Sequence, residues 1–185
     1  IYKADNNVRQ KLVEMFDDFD STIVLSYLQG HMGSAWVDNL ENPTVAQITV
    51  GIFVFYAGNP NAEEAEELLY NLPDFTLAIV DSDEWKKRIE TVHKGSIEKF
   101  QRFRFNKNPG DLDKEYIRDI LSTLPQNYEM KKIDKDIAKA SSFHALSEDF
   151  TSQFDSIDDF IDRGVGYAIL NKGQVVSAAT SFSIF

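Results

Sequence analysis

Gly164-Val-Gly166-Tyr-Ala-Ile-Leu170, then Asn171-Lys-Gly173, then Gln174-Val-Val-Ser177-Ala-Ala179 is the stretch that decides the fold. Small and apolar residues flank a short polar break. Asn and Gly tolerate positive φ, so the break reads as a tight hairpin turn between two strands. The spacing predicts one strand over 165–170 and a returning strand over 175–185. Upstream, 128–133 reads as a strand. Residues 136–146 read as a helix with Ile137, Ala140, Phe143 and His144 near one face. Ser156 caps a short helix carrying Ile157, Phe160 and Ile161. The order is strand, helix, helix, strand, hairpin, strand.

Ahead of Pro125-Gln-Asn127 lies a longer α/β stretch. Val8, Leu12, Met15 and Phe16 recur at helical spacing over 8–16. Residues 22–28 are β-branched and apolar and read as a strand. Gly30-His-Met-Gly33 is a turn, Trp36-Val37 opens a short strand, and 38–43, rich in Asp, Asn and Pro, turns again. Ile48, Val50, Ile52, Val54 and Tyr56 alternate, with Phe53 and Phe55 on the other face. That predicts one strand over 45–57, buried on both sides. Residues 61–72 read as a helix capped by Asn61, with Glu64 in capping-box position and Ala65, Leu68, Leu69 and Leu72 in one stripe. Glu63, Glu64, Glu66 and Glu67 fall on its other faces, where solvent accounts for them better than a cation site. A strand over 75–80, a helix over 83–93 capped by Ser82, a strand over 97–105 and a helix from Asp111 or Asp113 to Leu121 complete the region. No internal repeat is visible.

With 185 residues the chain holds one large domain or two small ones. Hydrophobic residues make up 43% and charged residues 26%, the usage of a folded globular protein. The net charge is −11. It divides as −8 before Gln126 and −3 from there on, so neither part offers the basic footprint that nucleic acid requires. The absence of cysteine excludes disulfides, thiolate metal sites and cysteine nucleophiles, and suits the cytoplasm. No apolar run reaches the ~18 residues of a membrane span. A start at Ile1 and an apolar end at Ser181-Phe-Ser-Ile-Phe185 lead us to expect part of a longer protein.

The element order of 128–185 is similar to the opening of the GNAT N-acetyltransferase fold, in which a first strand leads to two helices, two antiparallel strands, a fourth strand and the acetyl-CoA-binding helix. Gly164 to Leu170 and Gly173 to Ala179 match its usual second and third strands. The first region adds Gly30-x-x-Gly33-x-x-Trp36-Val37-Asp38, Asn42-Pro43, Ala46 and Gly51-x-Phe53-x-Phe55-x-Ala57-Gly58. Together these resemble the extended subfamily that includes the zwittermicin A resistance acetyltransferases. The resemblance implies an α/β (α+β) chain. An N-terminal α/β domain over 1–125 would precede, over 126–185, the first half of a GNAT-type mixed sheet.

What it implies about chemistry is transfer of acetyl from acetyl-CoA to a small-molecule amine, such as an aminated metabolite or antibiotic, in a cytoplasmic protein that can form a homodimer. The family holds the pyrophosphate with Gln/Arg-x-x-Gly-x-Gly/Ala at a helix start, where amides and dipole favour phosphate. Arg163-Gly-Val-Gly166-Tyr-Ala168 fits that pattern but follows a helix and enters a strand. We therefore expect the acetyl-CoA loop beyond Phe185. In the family the helix–helix segment lines the acceptor site, which here offers His144, Glu148 and Asp149 as substrate-binding residues. The carboxylates would attract a cationic amine, and His144 precedes them on the same segment. A packed His144 beside Phe143 and solvated loop carboxylates explain the same residues. Three separated His give no metal site, and Ser177 has no nucleophile elbow. The alternative to an enzyme is a GNAT-like binding or regulatory module without catalysis.

Overall fold

Two sheets carry the chain, of which the computed structural model describes residues 1–73, 75–103 and 105–185. Strand β1 (Tyr2–Lys3) leads to helices α1 (Asn6–Met15) and α2 (Thr22–Leu28). Strands β2 (Ser34–Val37), β3 (Val45–Val50) and β4 (Phe53–Gly58) follow, then helix α3 (Glu63–Tyr70), strand β5 (Leu77–Ile79) and helices α4 (Asp83–Val92) and α5 (Lys114–Ser122). The second region comprises β6 (Tyr128–Lys132), α6 (Lys135–Lys139), α7 (Ser141–His144), a 3₁₀ turn at Glu148–Phe150, α8 (Ile157–Arg163), β7 (Gly166–Asn171) and β8 (Gln174–Thr180). The sheet orders are β1-β2-β3-β4-β5 and β6-β7-β8. All neighbours are antiparallel except β4 and β5. The α/β class expected from the sequence is the class observed.

Gly51 corrects the strand expected over 45–57. Its φ of +57° bends that run into a hairpin with Val50 opposite Phe53. Positive φ at the first central residue is what a type II′ turn requires. Burial on both faces survives, because Ile48 pairs with Phe55 and Ala46 with Ala57 on one side. Val45, Val54 and Tyr56 face the other. The second hairpin places its positive φ at Lys172 and Gly173, not at Asn171.

Residues 22–28 form a helix, not a strand. Val24 and Tyr27, three apart, bury against β3, and that packing outweighs the β-branched composition. The strand expected over 97–105 is absent among its described residues, where Phe103 is 99% exposed and Phe105 94%. Its Arg104 lies outside the described residues. Asn61 does not cap α3; Ala62 holds that position without a side-chain bond. The helix expected over 136–146 breaks at Ala140, whose ψ of 135° is extended. The last strand stops at Thr180.

Helices cover both faces of the larger sheet, as a layered α/β core requires. On one face Val8, Leu12, Phe16, Val24 and Tyr27 join a cluster that also holds Ile133, Phe143, Phe160 and Val175 of the second region. On the other, Leu68, Leu69 and Trp85 pack on Val45, Val54 and Tyr56. Buried Gln47 is satisfied: its Nε2 donates to the Asn71 carbonyl at 2.9 Å, and Asn71 Nδ2 donates back at 3.2 Å.

Candidate functional site

The helical segment between β6 and β7 is anchored by buried Ile137, Phe143, Phe154 and Phe160. Asp134 caps α6 and Ser156 caps α8, each accepting a backbone N–H of its first turn. His144 ends α7 exposed, its ring edge-on to Phe143 at 5.9 Å. Glu148 and Asp149 open the 3₁₀ turn, where Ser147 Oγ accepts the Asp149 N–H at 3.1 Å. A ring contact of 5.0 Å between Phe143 and Phe150 clamps this turn to α7. The three polar side chains thus share one exposed stretch, and no hydrogen bond joins them.

Charge pairing separates Glu148 and Asp149 from nearby acids. Lys135 donates to Asp158 at 2.7 Å, and this hydrogen bond holds the Asp158 carboxyl below its ordinary value. Arg163 grips Asp159 through Nε and Nη2 at 2.5 and 2.6 Å and lowers that carboxyl likewise. Glu148 and Asp149 have neither a cation nor a donor on their carboxylates among the described residues. An unpaired carboxylate keeps its full attraction for an incoming cation.

Other polar side chains able to bind a ligand are spent on structure. Asp38 accepts Thr44 N–H at 2.9 Å, Thr44 Oγ1 at 2.6 Å and Val45 N–H at 3.2 Å. Asn39 Oδ1 accepts the N–H groups of Glu41 and Asn42. His93 Nε2 lies 3.0 Å from the Leu69 carbonyl and ties α4 to α3. Among the described residues no group of three or more His, Asp or Glu is placed to hold a metal.

Three antiparallel strands with a helical segment between the first two match the expected opening, and the GNAT acetyltransferase family profile fits residues 13–185. The chain belongs to the GNAT acetyltransferase family. An uncharacterised N-acetyltransferase, YdfB of Bacillus subtilis strain 168, is 29% identical over 92% of the chain. The chain spans 66% of that relative's length. The crystal structure of a GCN5-related N-acetyltransferase-like protein from Streptococcus suis superimposes with a TM-score of 0.83 at 28% identity. That match covers 94% of this chain and 70% of the other.

A GNAT enzyme must grip the acetyl-CoA pyrophosphate, and the residues described here do not fit that task. Arg163 ends α8, Gly164 follows it and Gly166 opens β7, so the Arg163–Ala168 pattern faces no helix start. A Cβ at Gly164 would lie 2.6 Å from Phe160 Cδ2, and one at Gly166 2.8 Å from Ile133 Cδ1. These glycines serve close packing. Helix α3, which follows β4, starts with Glu63, Glu64 and Glu66, and α4 with Asp83 and Glu84. Such starts repel phosphate.

Two features escaped the sequence. An open cavity of about 440 Å³ lies between the regions, lined by Thr22, Ile23, Phe53, Phe182, Ser183 and Phe185. The Gln153 side chain lies across Gly51, so a Cβ there would meet its Oε1 at 2.7 Å. Gly51 inside an apolar run was the one available signal.

Proposed function

We propose that the whole protein is a GNAT-type N-acetyltransferase acting on a small-molecule amine, and that this chain supplies the acceptor side. The observation that carries the reading is the pair of carboxylates, Glu148 and Asp149, that have no partner among the described residues, on the helical segment of a GNAT sheet. They draw in the ammonium form of the amine, with His144 on the same exposed stretch. Residues 1–125 form the N-terminal α/β domain and 126–185 open the acetyltransferase domain. Likeness to the zwittermicin A resistance enzymes favours aminated metabolites and antibiotics as acceptors. A cytoplasmic protein, with no nucleic-acid or membrane partner and no metal, completes the reading. Association into a homodimer belongs to it too, and light scattering showing a single-chain mass removes that part.

Calorimetry on the full-length protein is expected to show acetyl-CoA binding, and a thiol-release assay turnover with an amine. Glu148→Gln with Asp149→Asn is expected to raise KM for the amine about ten-fold with little change in affinity for acetyl-CoA. A folded full-length protein with no affinity for any acyl-CoA defeats the enzyme and leaves the non-catalytic module.

A further inference from the structure

We infer that the chain is an internal pair, two copies of one strand–helix–helix–strand–strand unit, in which each copy braces the helical segment of the other. The first copy is β1, α1, α2, β2 and β3; the second is β6, α6 with α7, α8, β7 and β8. In both, the first strand pairs antiparallel with the second and the second with the third.

The registers coincide residue by residue. The Ala4 N–H donates to the Ala35 carbonyl at 2.9 Å, and the Ile133 N–H to the Gly166 carbonyl at 2.9 Å. The next residues are Asp5 and Asp134, which cap α1 and α6 with their side chains. Ser21 and Ser156 hold the N-cap positions of α2 and α8. Gly33 and Gly164 stand two residues ahead of Ala35 and Gly166. On the third strand, Ile48 opposite Ala35 corresponds to Thr180 opposite Gly166. Counting on from there, Val50-Gly-Ile-Phe53 corresponds to Phe182-Ser-Ile-Phe185.

Those two corresponding segments meet each other and cross over. Phe53 and Phe182 pack edge to face at 5.3 Å. The first copy's tip, at Gly51, lies under Gln153 in the second copy's helical segment. The second copy's tip, Phe182 to Phe185, walls a cavity with Thr22 and Ile23 of the first copy's helix α2. Such reciprocity is that of an isologous contact, made here within one chain.

The first copy thereby acquires a role. Its turn at Gly51 holds the loop that runs from Glu148 to Gln153, so Gly51 and Gln153 are positioning residues for the acceptor segment. This last step rests on the acceptor reading above; the brace itself does not. The first copy continues through β4 into α3, whose acidic start gives it no second phosphate site.

Amide hydrogen–deuterium exchange on the full-length protein reads the brace without reference to catalysis. Gly51→Ala drives a methyl into Gln153 and is expected to raise exchange across 147–155 about ten-fold, with 83–92 unchanged. Gln153→Ala, which leaves the positive-φ turn at Gly51 as it is, is expected to raise exchange at 50–53 about three-fold. Unaltered exchange at both places overturns the brace. In Gly51→Ala, KM for the amine is expected to rise about five-fold at constant acetyl-CoA affinity. Faster exchange with an unmoved KM overturns the positioning role. Should the parent protein bind no acetyl-CoA, the enzymatic reading falls, while exchange still decides the brace.

Discussion

Strands β3 and β8 hold the same place in their two regions and live in different surroundings. Five of the six β3 residues are buried, whereas β8 buries one of seven. β3 has β2 and β4 on its edges and helices on both faces. β8 pairs with β7, and among the described residues with no other strand. The same strand position thus yields a buried wall in the first region and a half-solvated sheet in the second. Burial is set by what an element is packed between, not by its own sequence alone. The unpaired carboxylates sit in the looser region, where exposed loop and reactive groups usually belong.

The largest effect tests that contrast directly. Trp85 is 1% exposed, stacks on Tyr56 at 5.2 Å and donates through Nε1 to the Gly58 carbonyl at 3.1 Å. Trp85→Ala is expected to cost about 4 kcal/mol in urea unfolding, through lost burial and the cavity left behind. Val176 on β8 is 43% exposed, and Val176→Ala is expected to cost about 0.5 kcal/mol or less. Similar costs at the two positions would erase the distinction between wall and open sheet.

Much of the fold was legible, and each failure has a local cause. Helices with a side-chain cap at Ser82, Asp113 and Ser156 were readable because the capping residue announces the start. The hairpin inside 45–57 was missed because the apolar alternation runs on through Gly51 and masks the turn. Helix α2 was missed because Thr22, Ile23 and Val24 favour strands until Val24 and Tyr27 find β3 to pack on. The family was readable from glycines and strand order. The repeat was not, since its agreement is one of register: Asp5 with Asp134, Ser21 with Ser156, Gly33 with Gly164. Glu148 and Asp149 were nameable as residue types, but that they have no ion-pair partner among the described residues needed Lys135 and Arg163 placed elsewhere.

A smaller effect probes the turn that leads into β3. Burial raises the Asp38 carboxyl, but hydrogen bonds from Thr44 Oγ1, Thr44 N–H and Val45 N–H outweigh it and leave it below the ordinary 3.8. A carboxyl lowered on folding stabilises fully above its unfolded value and loses that contribution as pH falls through the folded one. Asp38→Asn is therefore expected to cost about 1 kcal/mol at pH 7, from charge-assisted bonds weakened to neutral ones. The gap should close as pH drops below 3.8, the ordinary value. Denaturant melts of both proteins across that range check it, and a gap that widens in acid would mean the clasp works without its charge.

The smallest effect runs the other way. Tyr56 is fully buried in the wall, and its hydroxyl has no hydrogen-bond partner among the described residues. Burial alone pushes its phenol far above the ordinary 10.0, so it stays neutral. A buried hydroxyl that gives up water and gains no partner costs stability, and removing it leaves the ring stack on Trp85 in place. Tyr56→Phe is expected to raise stability by about 1 kcal/mol or leave it level, read as a Tm equal to or above the parent's. A clear fall in Tm would mean that the hydroxyl does find a partner in solution. A buried water is the natural one, and the first region would then hold a second buried polar site beside Gln47, which pairs with Tyr56 across β3 and β4.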